Sequence, residues 1–149
     1  MKFPTSAALA AAIAIAGAIG ALPAQAHDDA YLDTLKAPHG GQLRMAGAFH
    51  YELVVVKDST EAKDNPVLVY LTDHAGTKIP SAGASGTVTL LAGKQKATAN
   101  LVPDGDNRLK AVAKYASSPD LKAIVSITPA GQGTEQARFT PMAMAAGGH

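Results

Sequence analysis

The sequence predicts an all-β fold, an immunoglobulin-like antiparallel β-sandwich of about seven or eight strands, and two observations support it. Short runs rich in Val, Ile, Leu, Thr and Tyr, such as residues 67–71, have the period-two spacing of strands. Turn residues recur about every 8–12 positions between these runs, and no long helical period competes with them. A chain of this length also fits a small barrel, which is the alternative architecture.

Eight runs after residue 40 are assigned as strands. They cover residues 41–45, 48–57, 67–72, 87–92, 96–102, 108–115, 121–128 and 136–141. Two-residue turns at Ala46-Gly47 and Gly93-Lys94 are expected to close two hairpins. Pro66 is expected to end the charged loop over residues 58–65. The segment Asp104-Gly105-Asp106-Asn107 is interpreted as a tight turn, because the later ligands of a calcium loop are missing.

The first 26 residues have the features of a secretory signal peptide. Lys2 precedes an apolar run over residues 7–21, and Ala24-Gln25-Ala26 has the small-x-small pattern of a cleavage site. The run is shorter than the roughly 20 apolar residues of a transmembrane helix. We therefore expect a periplasmic protein with no membrane insertion after cleavage and with His27 at its new amino terminus. An irregular arm over residues 27–40, the sandwich over 41–141 and a flexible tail over 142–149 would follow.

Composition excludes several classes of function. The chain has no cysteine, which excludes disulfides, thiolate metal sites and a lipid anchor beside the cleavage site. Removal of Lys2 with the leader leaves equal numbers of basic and acidic residues, so nucleic acid is not an expected partner. Phosphate-binding, dinucleotide-binding and zinc-protease motifs are absent, and Gly83-Ala84-Ser85-Gly86 is one residue short of a nucleophile elbow. We predict that the protein is not an enzyme.

His39, His50 and Glu52 form the main candidate metal site. Alternate residues of a strand share a face, so His50 and Glu52 are expected on one side and the apolar neighbours of each on the other. The two glycines after His39 can adopt backbone angles closed to other residues, which lets His39 turn back across the sheet. Imidazole and carboxylate ligands suit zinc or copper(II). A solvated strand face and a simple turn are the alternative interpretations.

Other candidate ligands lie outside this strand. His74 follows Asp73 in a loop, where capping of the turn competes with metal ligation. A terminal His27 would offer its α-amino nitrogen and its imidazole to copper(II), and one further histidine, His39, His50 or His74, would complete the site of a copper enzyme; the alternative is a disordered terminus. The tail supplies the soft ligands that copper(I) prefers, although a low-complexity terminus is the alternative. These tail residues are Met142, Met144 and His149.

Two short motifs resemble a known family. The stretch Pro38-His39-Gly40-Gly41-Gln42-Leu43, with Gly47 and His50-Tyr51-Glu52-Leu53 after it, resembles an accessory domain of the membrane-fusion adaptor subunits of periplasmic heavy-metal efflux systems. The chain is also similar to small exported proteins of the same type, which extend the likeness to residues 69–76 and 105–109. The resemblance implies a β-sandwich linked to copper, zinc or cobalt handling, with His39, His50 and Glu52 first as ligands and His74 after them. Because the helical hairpin and lipoyl-like segments of an adaptor are missing, it implies a soluble module with an adaptor subunit as a candidate partner.

The sequence therefore predicts a periplasmic protein that binds copper or zinc. Its expected role is to buffer the metal ion or to deliver it to a heavy-metal efflux or resistance system. Two alternatives stay open at this point. One is a non-metal interaction module that uses a sheet edge or an exposed apolar patch. The other is a copper enzyme built on the terminal His27.

Overall fold

The computed structural model describes residues 29–143, which form one short helix and eight antiparallel strands. The helix is α1 (Asp29–Leu32), and the strands are β1 (Gln42–Ala46), β2 (Phe49–Val55), β3 (Lys63–Asp73), β4 (Ser85–Ala92), β5 (Gln95–Pro103), β6 (Arg108–Tyr115), β7 (Lys122–Thr128) and β8 (Glu135–Phe139). The predicted all-β fold is confirmed. Within this part of the chain, no helix is long and apolar enough to cross a membrane. The predicted signal peptide, His27, Met144 and His149 lie outside the described residues.

The strands form one continuous sheet that folds over on itself. Their spatial order is β1-β2-β3-β6-β5-β4-β7-β8, in which β4 to β7 make a Greek key. β5 pairs with β6 only at Val102 and Pro103, so this corner divides the sheet into two four-stranded halves. At the opposite side β1 and β8 lie next to each other, and the Gln42 side chain accepts a hydrogen bond from the Thr140 amide at 2.8 Å. The result is a sandwich that is almost closed into a barrel.

Both halves bury their inner faces in a single core. Burial alternates along β6, for example, where Leu109 and Tyr115 are buried and Lys110 is exposed. The arm before β1 is attached to this body, because Leu32 is buried and Asp33 accepts a hydrogen bond from Arg44 at 2.7 Å. Met142, which the sequence assigned to the tail, also packs against the core.

The strand β3 begins four residues before its predicted start and passes through Pro66. A proline lacks the amide that a central strand must donate, but β2 ends opposite Val67, so β3 has a neighbour only on its β6 side at Pro66. The carbonyl of Pro66 accepts a hydrogen bond from the Tyr115 hydroxyl at 2.5 Å. The edge position therefore makes this proline compatible with the strand.

The segment 104–107 is the turn between β5 and β6, as predicted. Its last residue, Asn107, is buried and exchanges hydrogen bonds with Leu71: the Leu71 amide donates to the Asn107 carbonyl, and the Asn107 side-chain amide donates to the Leu71 carbonyl, both at 2.9 Å. These bonds fasten the turn to β3, two residues before the strand ends.

Asn107→Ala is expected to lower the free energy of unfolding by about 1–3 kcal/mol, because it leaves a buried carbonyl of Leu71 without this donor. Urea unfolding followed by circular dichroism measures the change. Asn100→Ala, at an exposed position of β5, is the matched control and is expected to be close to neutral. Equal effects of the two substitutions would contradict this role of Asn107.

Candidate functional site

The predicted ligands lie around the outward face of β2, at its junction with β1 and β3. Tyr51 and Leu53 point into the core, and His50 and Glu52 alternate with them toward the other face. Both outward residues are nevertheless buried, with His50 7% and Glu52 3% exposed. The loop before β1 and neighbouring side chains cover this part of the sheet. Two of the other candidate residues, His39 and His74, belong to the groups that cover it.

The carboxylate of Glu52 is bound by the loop that precedes β1. Its Oε2 accepts hydrogen bonds from the amides of His39 and Gly41, both at 2.9 Å, and its Oε1 accepts one from His39 Nδ1 at 2.8 Å. Amides that converge in this way form an anion-binding concavity, called a nest, and Gly40 between them has the left-handed φ of +71° that such a turn requires. Through these hydrogen bonds, Glu52 holds the His-Gly-Gly loop against β2.

The second glycine of the loop is required by packing. Gly41 has no positive φ, but a Cβ atom at this position would overlap the carbonyl oxygen of Leu53 on β2. The absence of a side chain lets the backbone that enters β1 lie directly against β2. The His-Gly-Gly motif thus contains one glycine for backbone conformation and one for close approach.

The His39 ring is fixed between a carboxylate and an aromatic ring. It stacks on Tyr70 of β3, with ring centroids 3.6 Å apart and an interplanar angle of 5°. Because Nδ1 faces the Glu52 carboxylate, which can only accept while it is ionised, Nδ1 carries the proton and Nε2 carries the lone pair of the neutral ring. Arg108 lies beyond Tyr70, and hydrogen bonding with the Tyr70 hydroxyl together with the charge of Asp104 raises the pKa of Arg108.

His50 and His74 form a second pair. Their rings are stacked with centroids 4.8 Å apart and an interplanar angle of 23°. His74 Nε2 donates a hydrogen bond to the Gly47 carbonyl in the β1–β2 turn at 3.2 Å. The turn after β3 is capped by Asp73, whose Oδ1 accepts hydrogen bonds from the amides of Ala75 and Thr77. The His74 side chain is thus directed to His50.

The candidate ligands are therefore divided into two pairs, His39 with Glu52 and His50 with His74. Over residues 29–143, no three His, Asp or Glu side chains are grouped so that they could hold one metal ion. The residues of both pairs, which the sequence proposed as ligands, do lie on one part of the sheet, but the two pairs have different contacts. One pair fixes a loop, and the other presents two imidazole rings to each other.

Sequence reasoning missed two residues of this face. Tyr70 stacks on His39, and Met45 of β1 is the register partner of His50. The two-residue turn between β1 and β2 is Gly47-Ala48, not the predicted Ala46-Gly47, and Gly47 has a φ of +58°. Placing the turn around a glycine with positive φ at its first position would have paired Met45 with His50.

Comparison of this chain with protein-family models, with curated proteins and with solved structures finds no match.

Proposed function

We propose that this is an exported, non-catalytic protein that binds a copper or zinc ion at the His50–His74 pair. Its role is to buffer that ion in the periplasm or to deliver it to a heavy-metal efflux system. The observation that carries the proposal is the pairing of two imidazole rings, one buried and one exposed, on the same face of the sheet.

The surroundings of His74 favour a ligand over a purely structural ring. A metal-binding histidine usually donates its other ring N–H to a carbonyl or carboxylate, which fixes the tautomer and aims the remaining nitrogen. The bond from His74 Nε2 to the Gly47 carbonyl has this form, and it places the lone pair of the neutral ring on Nδ1. Imidazole nitrogen is a ligand for both copper and zinc.

The resemblance to the accessory domain of efflux adaptors supports His50 as a ligand and, after it, His74, whereas the ligand role that it implies for His39 and Glu52 is not part of this proposal. The apolar leader over residues 1–26 supports export. Under this proposal the adaptor subunit is the partner that receives the metal ion, and Glu52 supports the fold rather than the ion.

The interaction-module alternative has weaker support from the sheet edges. β1 and β8 are the two edge strands, and they lie next to each other, joined by the Gln42 side chain. An exposed edge is the surface that strand pairing with another protein requires. The paired imidazole rings of His50 and His74 are a more specific arrangement than a strand edge, and they favour the metal-binding proposal.

Titration of the chain that begins at His27 with copper(II), zinc and, under reductant, copper(I) tests the proposal. We expect stoichiometric binding tighter than about micromolar, and His50→Ala and His74→Ala are each expected to weaken it at least about tenfold, or about 1.4 kcal/mol. Isothermal calorimetry gives the affinities, and circular dichroism confirms that each variant is folded.

His149→Ala and His39→Ala are the controls, and neither is expected to change the affinity by more than about twofold, or about 0.4 kcal/mol. His39→Ala separates the two pairs, because it removes an imidazole that faces Glu52 and leaves the His50–His74 pair intact. An absence of metal binding, or equal losses in all four variants, would overturn the proposal.

A further inference from the structure

The face that holds His50 and His74 also holds a thioether. Met45 is directly opposite His50 in the β1–β2 ladder, and its neighbours Arg44 and Ala46 are the buried residues of β1. Met45 therefore projects to the outward face, together with His50. Directly opposite residues of antiparallel strands have Cβ atoms about 4.5–5.5 Å apart, which is within the reach of a methionine side chain.

The two imidazoles and the thioether surround the same turn. His50 follows the Gly47-Ala48 turn, Met45 precedes it, and His74 donates its Nε2 proton to the Gly47 carbonyl within it. Met45 and His74 flank His50 from opposite sides, because β2 lies between β1 and β3. An ion bound to His50 on the outward face of the sheet would thus have the Met45 sulfur on one side and the His74 imidazole on the other.

Three acidic side chains close to these residues make their hydrogen bonds and ion pairs elsewhere. Glu52, two positions from His50, accepts three hydrogen bonds from the His39–Gly41 loop. Asp73, next to His74, accepts two from its own turn. Asp29 approaches the Met45 amide at 3.4 Å and pairs with Arg44. These three carboxylates are therefore committed to the fold. The Glu135 carboxylate also lies against Gly47 of the turn, but within residues 29–143 it does not join His50 and His74 in a metal-binding group of three His, Asp or Glu side chains.

We propose that Met45, His50 and His74 form a three-coordinate site selective for copper(I). This inference rests on the proposed metal-binding function and deepens it by assigning the ion and a third ligand. Thioether sulfur is a soft ligand that favours copper(I) over zinc and copper(II), and copper(I) accepts low coordination numbers. The ligands are Met45 Sδ, one ring nitrogen of His50, and Nδ1 of His74.

Competition with a chromophoric copper(I) chelator under reductant tests the assignment, with Met45→Leu as the decisive variant because leucine conserves volume and polarity. We expect Met45→Leu to weaken copper(I) binding at least about tenfold while zinc and copper(II) affinities change less than about twofold. Copper K-edge absorption is expected to show a copper–sulfur shell in the unaltered protein and to lose it in Met45→Leu. Met142→Leu, which alters a methionine packed against the core, is the matched control and should retain both signals.

The outcomes separate this inference from the function on which it rests. If the unaltered protein binds copper(I) through His50 and His74, but Met45→Leu keeps the affinity and the sulfur shell, the assignment of Met45 is wrong and the proposed function stands. If the unaltered protein binds none of the three ions, both fail. Loss of the sulfur shell in Met142→Leu and not in Met45→Leu would also overturn the assignment.

Discussion

Glu52→Ala is expected to lower the free energy of unfolding by about 2–4 kcal/mol, one of the two largest effects of a single substitution at this site. The substitution removes a buried carboxylate that accepts hydrogen bonds from two backbone amides and from the His39 ring. Those three donors would lose a charged acceptor, and hydrogen bonds to charged groups are among the strongest in proteins. Urea unfolding midpoints, with the slope held constant, give the loss.

Glu61→Ala removes a carboxylate from an exposed position of the loop before β3, and it is expected to be nearly neutral. Glu52→Gln keeps one carbonyl acceptor but turns an amide donor toward the loop amides, so its effect is expected to lie between those of the two alanine variants. If Glu52→Ala unfolds at the same urea concentration as Glu61→Ala, the anchoring role is incorrect. A loss of metal affinity in folded Glu52→Gln equal to that of His50→Ala would return Glu52 to the ligand set.

Gly41→Ala is the second substitution with a large expected effect, a loss of about 2–4 kcal/mol. Its new Cβ would overlap the Leu53 carbonyl oxygen and lie 2.9 Å from Val54 Cγ2. Neither backbone atoms nor a packed strand residue can move aside without shifting β1 against β2. Thermal or urea unfolding of the purified variant measures the loss.

Gly40→Ala is the matched control, one residue away in the same motif. Nothing lies within 4 Å of the Cβ position of Gly40, so the expected loss is only the cost of a left-handed backbone, about 1–2 kcal/mol. We therefore expect Gly41→Ala to be the more harmful of the two. The reverse order would mean that backbone conformation, not close approach, explains the second glycine.

The fold was predictable because burial alternates strictly along most strands. The eight predicted strands correspond to the eight observed, and the largest difference in their bounds, at the start of β3, has a specific cause. Pro66 was expected to end the preceding loop. Proline cannot donate to a ladder, but this excludes it only from strands that have neighbours on both sides. Whether β2 extends that far is a tertiary fact that the local sequence does not contain.

The sequence predicted the histidine and glutamate residues of the candidate site, but it did not predict which of these residues contact each other. The alternation of His50 and Glu52 with core residues placed both on one face. Which partner each would find depended on long-range register: His39 reaches Glu52 across 13 positions, and His74 meets His50 only because β3 is paired with β2. Met45 was missed because the predicted turn between β1 and β2 lay one residue too early in the chain. A shift of the turn by one residue changes every cross-strand neighbour in the hairpin.

The seam between β1 and β8 has a consequence for the order in which the chain folds. Gln42 and Thr140, which close it, are 98 positions apart, whereas the β1–β2 and β4–β5 hairpins join immediate neighbours. Contacts of such long sequence separation incur a large loop-closure entropy and slow the folding of β proteins. The hairpins can form as soon as their residues are present, but the core beneath Ala46 and Phe139 is sealed only when the last strand arrives. A chain emerging amino terminus first, from a ribosome or through a membrane pore, therefore stays open until almost its full length has been released.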